Sequence, residues 1–202
     1  FSLSVAYFYF IGFTFQFACA AIACRDRFLM INEKLSRKNF FTYYEMQAYI
    51  ELYQKLLKII EHINEYLTPP LIPVFTMFLV LETFMTYTVV RLLLHPGNQH
   101  FMIALNSLWS SIYFYLSMVA MHSSESAFKE GFRFKNICYE ILCFKGASIE
   151  STRTLKMFLA SITHSRLQLR TIFFDINWML LLEMCATITM FIIITIQFDT
   201  SL

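Results

Sequence analysis

TIFFDINWMLLLEMCATITMFIIITIQF, residues 171–198, is the stretch whose reading decides the fold. It carries only two charged side chains, Asp175 and Glu183. As a helix rising about 1.5 Å per residue, it is longer than the roughly 30 Å hydrocarbon core of a bilayer. Three more runs read the same way. Residues 1–24 hold no Asp, Glu, Lys or Arg, residues 69–90 are interrupted only by Glu82, and residues 101–122 are uncharged apart from a terminal histidine. A basic region follows the first run rather than preceding it, which argues against a signal peptide.

Composition agrees. The 202 residues are 57% hydrophobic and 15% charged, with a mean hydropathy of +0.54, whereas soluble domains carry about 25% charge. Strand-like alternation is absent, and four Gly and four Pro leave little material for turns. The expected fold class is an all-α, polytopic transmembrane helical bundle. Two mixed stretches separate the spans. In residues 25–68, Ile50, Tyr53, Leu56, Leu57, Ile60, Ile63 and Leu67 recur at helical steps among charged residues, predicting an amphipathic helix in water. Pro69, Pro70 and Pro73 then mark its junction with the membrane. Residues 123–170 form the second mixed stretch, residues 91–100 a short link, and residues 199–202 a tail.

Lys and Arg collect in short cytoplasmic loops. Arg25, Arg27, Lys34, Arg37, Lys38, Lys55 and Lys58 lie in the first mixed stretch. Lys129, Arg133, Lys135, Lys145, Arg153, Lys156, Arg166 and Arg170 lie in the second, and Arg91 alone lies in the short link. Both mixed stretches are therefore predicted cytoplasmic, and the link and the C-terminal tail extracellular. The chain begins at Phe1 within an apolar run, so it is expected to be the C-terminal part of a longer protein.

No GxSxG, HExxH or Gly-rich phosphate loop occurs, so no enzyme is predicted. The five cysteines (Cys19, Cys24, Cys138, Cys143 and Cys185) show no metal spacing, and neither a metal nor a cofactor is expected. A net charge of +2 argues against a nucleic-acid partner. Ionisable groups within the spans are the better lead, because each would cost about 2.5–3.5 kcal/mol at a helix centre on insertion scales. On one straight helix at 100° per residue, Asp175 and Glu183 each fall about 40° from Gln197, on opposite sides. Met190 and Ile193 fill the same stripe. A mostly apolar line with carboxylates suits a cation pore; an interhelical polar contact or a loop-edge carboxylate is the alternative, and a kink between Asp175 and Glu183 would break the alignment. The outer parts of the other spans offer Tyr7, then Glu82, Thr86 and Tyr87, then Asn106, Trp109 and Tyr113. The last three share one face at i, i+3, i+7, and aromatic walls with a few polar groups suit a small-molecule pocket, or simply helix packing.

Several blocks resemble the insect gustatory receptors, the taste branch of the seven-helix insect chemoreceptors. Phe173, Phe174, Asp175, Ile176, Asn177, Trp178, Leu180 and Leu181 are similar to the family's G-F-F-x-[LI]-[DN]-x-x-L-L approach to its last helix. Met190, Phe191, Gln197 and Phe198 stand where the family has T-Y-x5-Q-F. Arg27, Phe28, Asn32 and Leu35 resemble R-F-x3-N-x2-L, and Ile63, Asn64, Leu67, Pro70 and Leu71 resemble I-N-x2-F-x2-P-L. Ile172 and Met190-Phe191 depart from the pattern.

The resemblance implies that these are spans four to seven of a seven-span receptor in the plasma membrane. It implies a homotetramer, or a heteromer with related receptors, that conducts cations without selectivity when a tastant binds. Gln197 and Phe198 would sit at an extracellular gate in the pore-lining last span, and Asn106 with Trp109 in the ligand pocket. A secondary transporter using Glu82 and Glu183, an odorant-type receptor and a non-conducting homologue are the competing readings. The predicted sidedness has a direct check: Ser201→Cys is expected to gain labelling by a membrane-impermeant maleimide on intact cells.

Overall fold

A computed structural model of the chain describes residues 2–38, 40–94, 100–144, 146–147, 149–162, 167–171 and 173–200, with side chains for residues 8–38, 40–93, 100–143, 149–162, 167–171 and 173–198. The helices are α1 (Ser2–Ser36), α2 (Tyr43–His62), α3 (Leu71–Leu94), α4 (His100–Phe144), α5 (Ile149–Ile162) and α6 (Trp178–Thr200). Two-residue strands, β1 (Phe40–Phe41) and β2 (Gly146–Ala147), pair in parallel beside the helix ends. Four helices, α1, α3, α4 and α6, are long and apolar enough to cross a membrane. The protein is an all-α polytopic bundle, as its hydropathy predicts.

The helix ends differ from the expected span ends. Spans predicted to stop at residues 24 and 122 continue as unbroken helices to Ser36 and Phe144. The charged residues there mark a change of medium. They do not break a helix, because i,i+3 and i,i+4 pairs support the exposed turns: Arg37 with Glu33, Lys129 with Glu125, and Arg133 with Glu130. Gly131, inside α4, marks a close approach: a β-carbon there would lie 3.1 Å from Leu167 Cδ2.

The region predicted as one amphipathic helix is the end of α1, a turn with β1, and then α2. At the start of α2, Glu45 reaches back to the Thr42 backbone N–H and hydroxyl and meets Lys38 Nζ at 2.5 Å. The Lys38 contact, with the Thr42 hydrogen bonds, holds the Glu45 carboxyl down to about 2. The buried face of α2 is Met46, Ile50, Tyr53, Leu56 and Ile60, the last four of which are positions that carry its periodicity. A π-helical turn, Ile63–Leu67, continues α2, and Thr68 donates its backbone N–H to Ile63 O across the widened loop. Pro69 and Pro70 then supply no N–H, so the chain turns before α3 starts.

Tyr53 is the hub at the charged end. Its fully buried ring stacks on Phe134 of α4 at 4.3 Å, and meets Phe28 of α1 at 5.5 Å and Phe158 of α5 edge-on at 5.6 Å. Burial pushes its phenol well above the usual range. Tyr53→Ala is expected to destabilise the fold by about 3–5 kcal/mol, as for other large aromatic truncations, read as a fall in the thermal unfolding midpoint. Tyr53→Phe is expected to cost under about 1 kcal/mol, since the hydroxyl reaches Gly131 O only at 3.4 Å.

Candidate functional site

The last span begins at Trp178, not at residue 171. Thr171 folds the preceding chain: its hydroxyl accepts from the N–H groups of Phe173 and Phe174, and its own N–H donates to Phe174 O at 2.8 Å. Arg170 and Asp175 form an antiparallel bridge, and Ile176 N–H donates to Leu169 O. Asn177 caps the helix by accepting from Leu180 N–H at 3.1 Å. Asp175 therefore lies in a small hairpin before α6, exposed, and is not part of the helical stripe predicted for it. The straight helix assumed from sequence fails because Thr171 and Asn177 satisfy the backbone outside a helix.

The rest of the stripe survives as geometry. Within α6, Glu183, Met190, Ile193, Gln197 and Phe198 are all exposed on the single chain. Leu181, Met184 and Ile188 are buried, and Ile188 lies about 180° round the helix from Gln197. The buried face rests on α3 and α4, so the polar line faces away from its own bundle. Met190 and Phe191, which replace the Thr-Tyr pair of the resemblance, are 64% and 56% exposed. Thr187, Thr189 and Thr195 donate to backbone carbonyls four residues back, which removes most of their polar cost in lipid. Ile172, the other departure, lies outside the described residues.

The ligand candidates divide. Glu82, at the midpoint of α3 (Leu71–Leu94), is 6% exposed, and Oε1 accepts from the Ser110 hydroxyl of α4. Trp109 stacks on buried Tyr113 at 6.1 Å. Tyr113 in turn meets Phe10 of α1 edge-on at 5.0 Å, and Phe10 stacks on Phe78 of α3. The structure thus brings Glu82, Trp109 and Tyr113 to one junction of α1, α3 and α4. Asn106 lies half-buried one turn before Trp109 and Ser110. Thr86 and Tyr87 are half-buried in the turn after Glu82. The side chain of Tyr7 lies outside the described residues.

Sequence reading missed Phe10, Phe78 and Cys185, the last within electrostatic reach of Glu82 from α6. It also missed Ser117, which extends the Asn106, Trp109, Tyr113 line to i+11 and would have been found by following that face. Ser117 and Thr14 are buried hydroxyls without hydrogen-bond partners among the described residues. A groove of about 690 Å3 between α1 and α2, walled by Arg27, Lys34 and Lys55 over Met30, Leu52 and Leu56, was not foreseen either. All five cysteines are free, and no group of metal-ligating side chains occurs among the described residues.

The motif asparagines hold elements together. Asn32 donates to Glu130 O and Oε2, tying α1 to α4. Asn64, in the π turn, donates to Gln168 O at 3.1 Å and accepts from Arg170 N–H at 3.0 Å. It grips one edge of the hairpin that leads into α6, while Ser124 of α4 donates to Ile176 O on the other side at 2.6 Å. These blocks now have a family to answer to, because residues 1–202 match the 7tm chemosensory receptor family along their whole length.

The chain belongs to that family. No curated protein matches it. As a chemosensory receptor, it uses Asn32, Asn64 and Asn177 to join or cap helices, and the hairpin grip is the most exposed to test. Asn64→Ala removes two hydrogen bonds at once, the one to Gln168 O part-buried and the one from the Arg170 N–H exposed. It is expected to cost about 1–3 kcal/mol and to speed hydrogen exchange at the Arg170 amide, with the Leu180 amide unchanged.

Proposed function

We propose that this chain forms the C-terminal four spans of a gustatory receptor that works as a tastant-gated, non-selective cation channel in the plasma membrane. In this reading four copies, or copies with related receptors, surround a pore lined by α6, the C-terminus is extracellular, and the tastant binds at the junction near Glu82, Trp109 and Tyr113. One observation carries it: the face of α6 that bears Glu183, Met190, Ile193 and Gln197 is turned away from the face packed on α3 and α4. A polar line on the outside of a protomer costs free energy in lipid and loses that cost when copies bring it to a shared axis holding water. Met190 and Ile193 would form the apolar constriction, Gln197 and Phe198 the outer gate, and Glu183 a carboxylate ring favouring cations.

Asp175 now enters only as an exposed carboxylate at the cytoplasmic mouth, set off from the helical line. The test is patch-clamp recording of the full-length receptor during application of sugars and bitter compounds. Inward current carried alike by sodium and potassium is expected. Glu183→Gln is expected to lower cation conductance by roughly twofold, and Gln197→Ala to shift the half-activating concentration severalfold. Surface-delivered receptor that passes no current with any ligand would mark it as a non-conducting homologue, and unchanged currents in both variants would remove α6 from the pore.

A further inference from the structure

Glu82 is a buried carboxylate with no counter-ion among the described residues. Oε1 takes the Ser110 hydroxyl, while Oε2 is buried with no hydrogen-bond partner among the described residues. No Lys or Arg occurs in residues 2–24, 71–90, 101–121 or 178–198. Arg91, on the same helix, stands nine residues away, about 13 Å along the axis. His100 and His122 stand ten and twelve residues from Ser110 on α4, about 15 and 18 Å along the axis. The ionisable side chains of α6 within residues 178–198 are Glu183 and Cys185, and neither supplies a positive charge.

A charge so placed is costly unless something positive meets it. A metal ion would need several oxygens around it. No group of metal-ligating side chains stands there among the described residues, and Ser117 of α4 lies seven residues from Ser110, about 10 Å along the helix, too far to join such a shell. Aromatic side chains stand next to the Glu82–Ser110 pair in the fold: Phe78 is one turn before Glu82 on α3, Trp109 directly precedes Ser110 on α4, and ring contacts link the two through Phe10 and Tyr113. A carboxylate beside aromatic faces is the chemistry that recognises an organic ammonium group, by a charge-assisted hydrogen bond on one side and cation–π attraction on the other.

We infer that the Glu82 junction selects ligands carrying a protonated amine, with Oε2 as the ammonium acceptor and the Phe78, Phe10, Tyr113 and Trp109 rings holding the organic part. This rests on the reading that the tastant binds within the bundle, and it adds the ligand's chemical class. The test uses binding rather than current, so a receptor that never conducts still answers it. Full-length receptor in nanodiscs is titrated with n-alkylamines and n-alkanols of equal chain length. The amines are expected to bind at least about tenfold more tightly, since a buried charge pair commonly exceeds that margin. Glu82→Gln is expected to abolish the margin while alkanol binding stays within about twofold. Should Glu82→Gln fold poorly, Glu82→Asp keeps the charge and is expected to retain part of the amine preference.

Equal binding of amines and alkanols by the wild type overturns the inference, and so does an amine preference that persists in folded Glu82→Gln. A receptor opened by neutral tastants but indifferent to amines overturns this inference while leaving the channel reading intact.

Discussion

The Tyr53 ring holds the charged end of this protein together, because it is the point at which four helices share one contact. Phe28, Phe134 and Phe158 reach it from α1, α4 and α5, and of these helices only α1 is joined to α2 by a short turn. In the membrane half, burial in protein and burial in lipid differ little for an aliphatic side chain, so apolar area by itself does not fix how the helices pack. At the water-exposed end the hydrophobic effect operates in full. The position of the spans relative to one another is therefore set largely from below, by a core of stacked and edge-on rings with defined geometry.

That division explains the pattern of side chains common to the family blocks. Phe28, Asn32 and Leu35 are all buried, and they are spaced so that one helical face presents a ring to Tyr53, an amide to Glu130 and an aliphatic plug. Asn64 and Asn177 do the same work for backbone that is not in a regular helix. The π turn and the hairpin before α6 expose peptide groups that a membrane-proximal segment cannot leave unpaired. A side-chain amide, with a donor and an acceptor on one planar group, satisfies both edges. In this structure Asn32, Asn64 and Asn177 are joints between elements.

Hydropathy made the four spans legible because length and apolar run are properties of the chain alone. It could not show where the helices end. Between Cys24 and Ser36 and between Met121 and Phe144 the sequence changes solvent without supplying a proline or a cap, and helix propensity carries straight through. The reverse error occurred at Asp175, where an apolar flank looked helical although Thr171 and Asn177 offered the backbone better local partners. The site was partly legible for the same reason. Asn106, Trp109 and Tyr113 fall on one face by periodicity alone. Their meeting with Glu82, Phe10 and Phe78 depends on how three helices pack, which no single-helix pattern encodes.

The way α6 is held follows from both halves. At its base it is capped by Asn177 and fed by a hairpin that Asn64 and Ser124 grip from two sides. Above that, the line of Leu181, Met184 and Ile188 is buried, with Trp178, Leu180, Cys185 and Ile192 half-buried against the core beside it. A helix capped at one end and supported along an apolar rail is positioned along its length by the packing of aliphatic side chains, which in lipid fixes geometry less sharply than hydrogen-bonded joints do. The defined joints of α6 therefore lie at its start, in the cap and the hairpin grip.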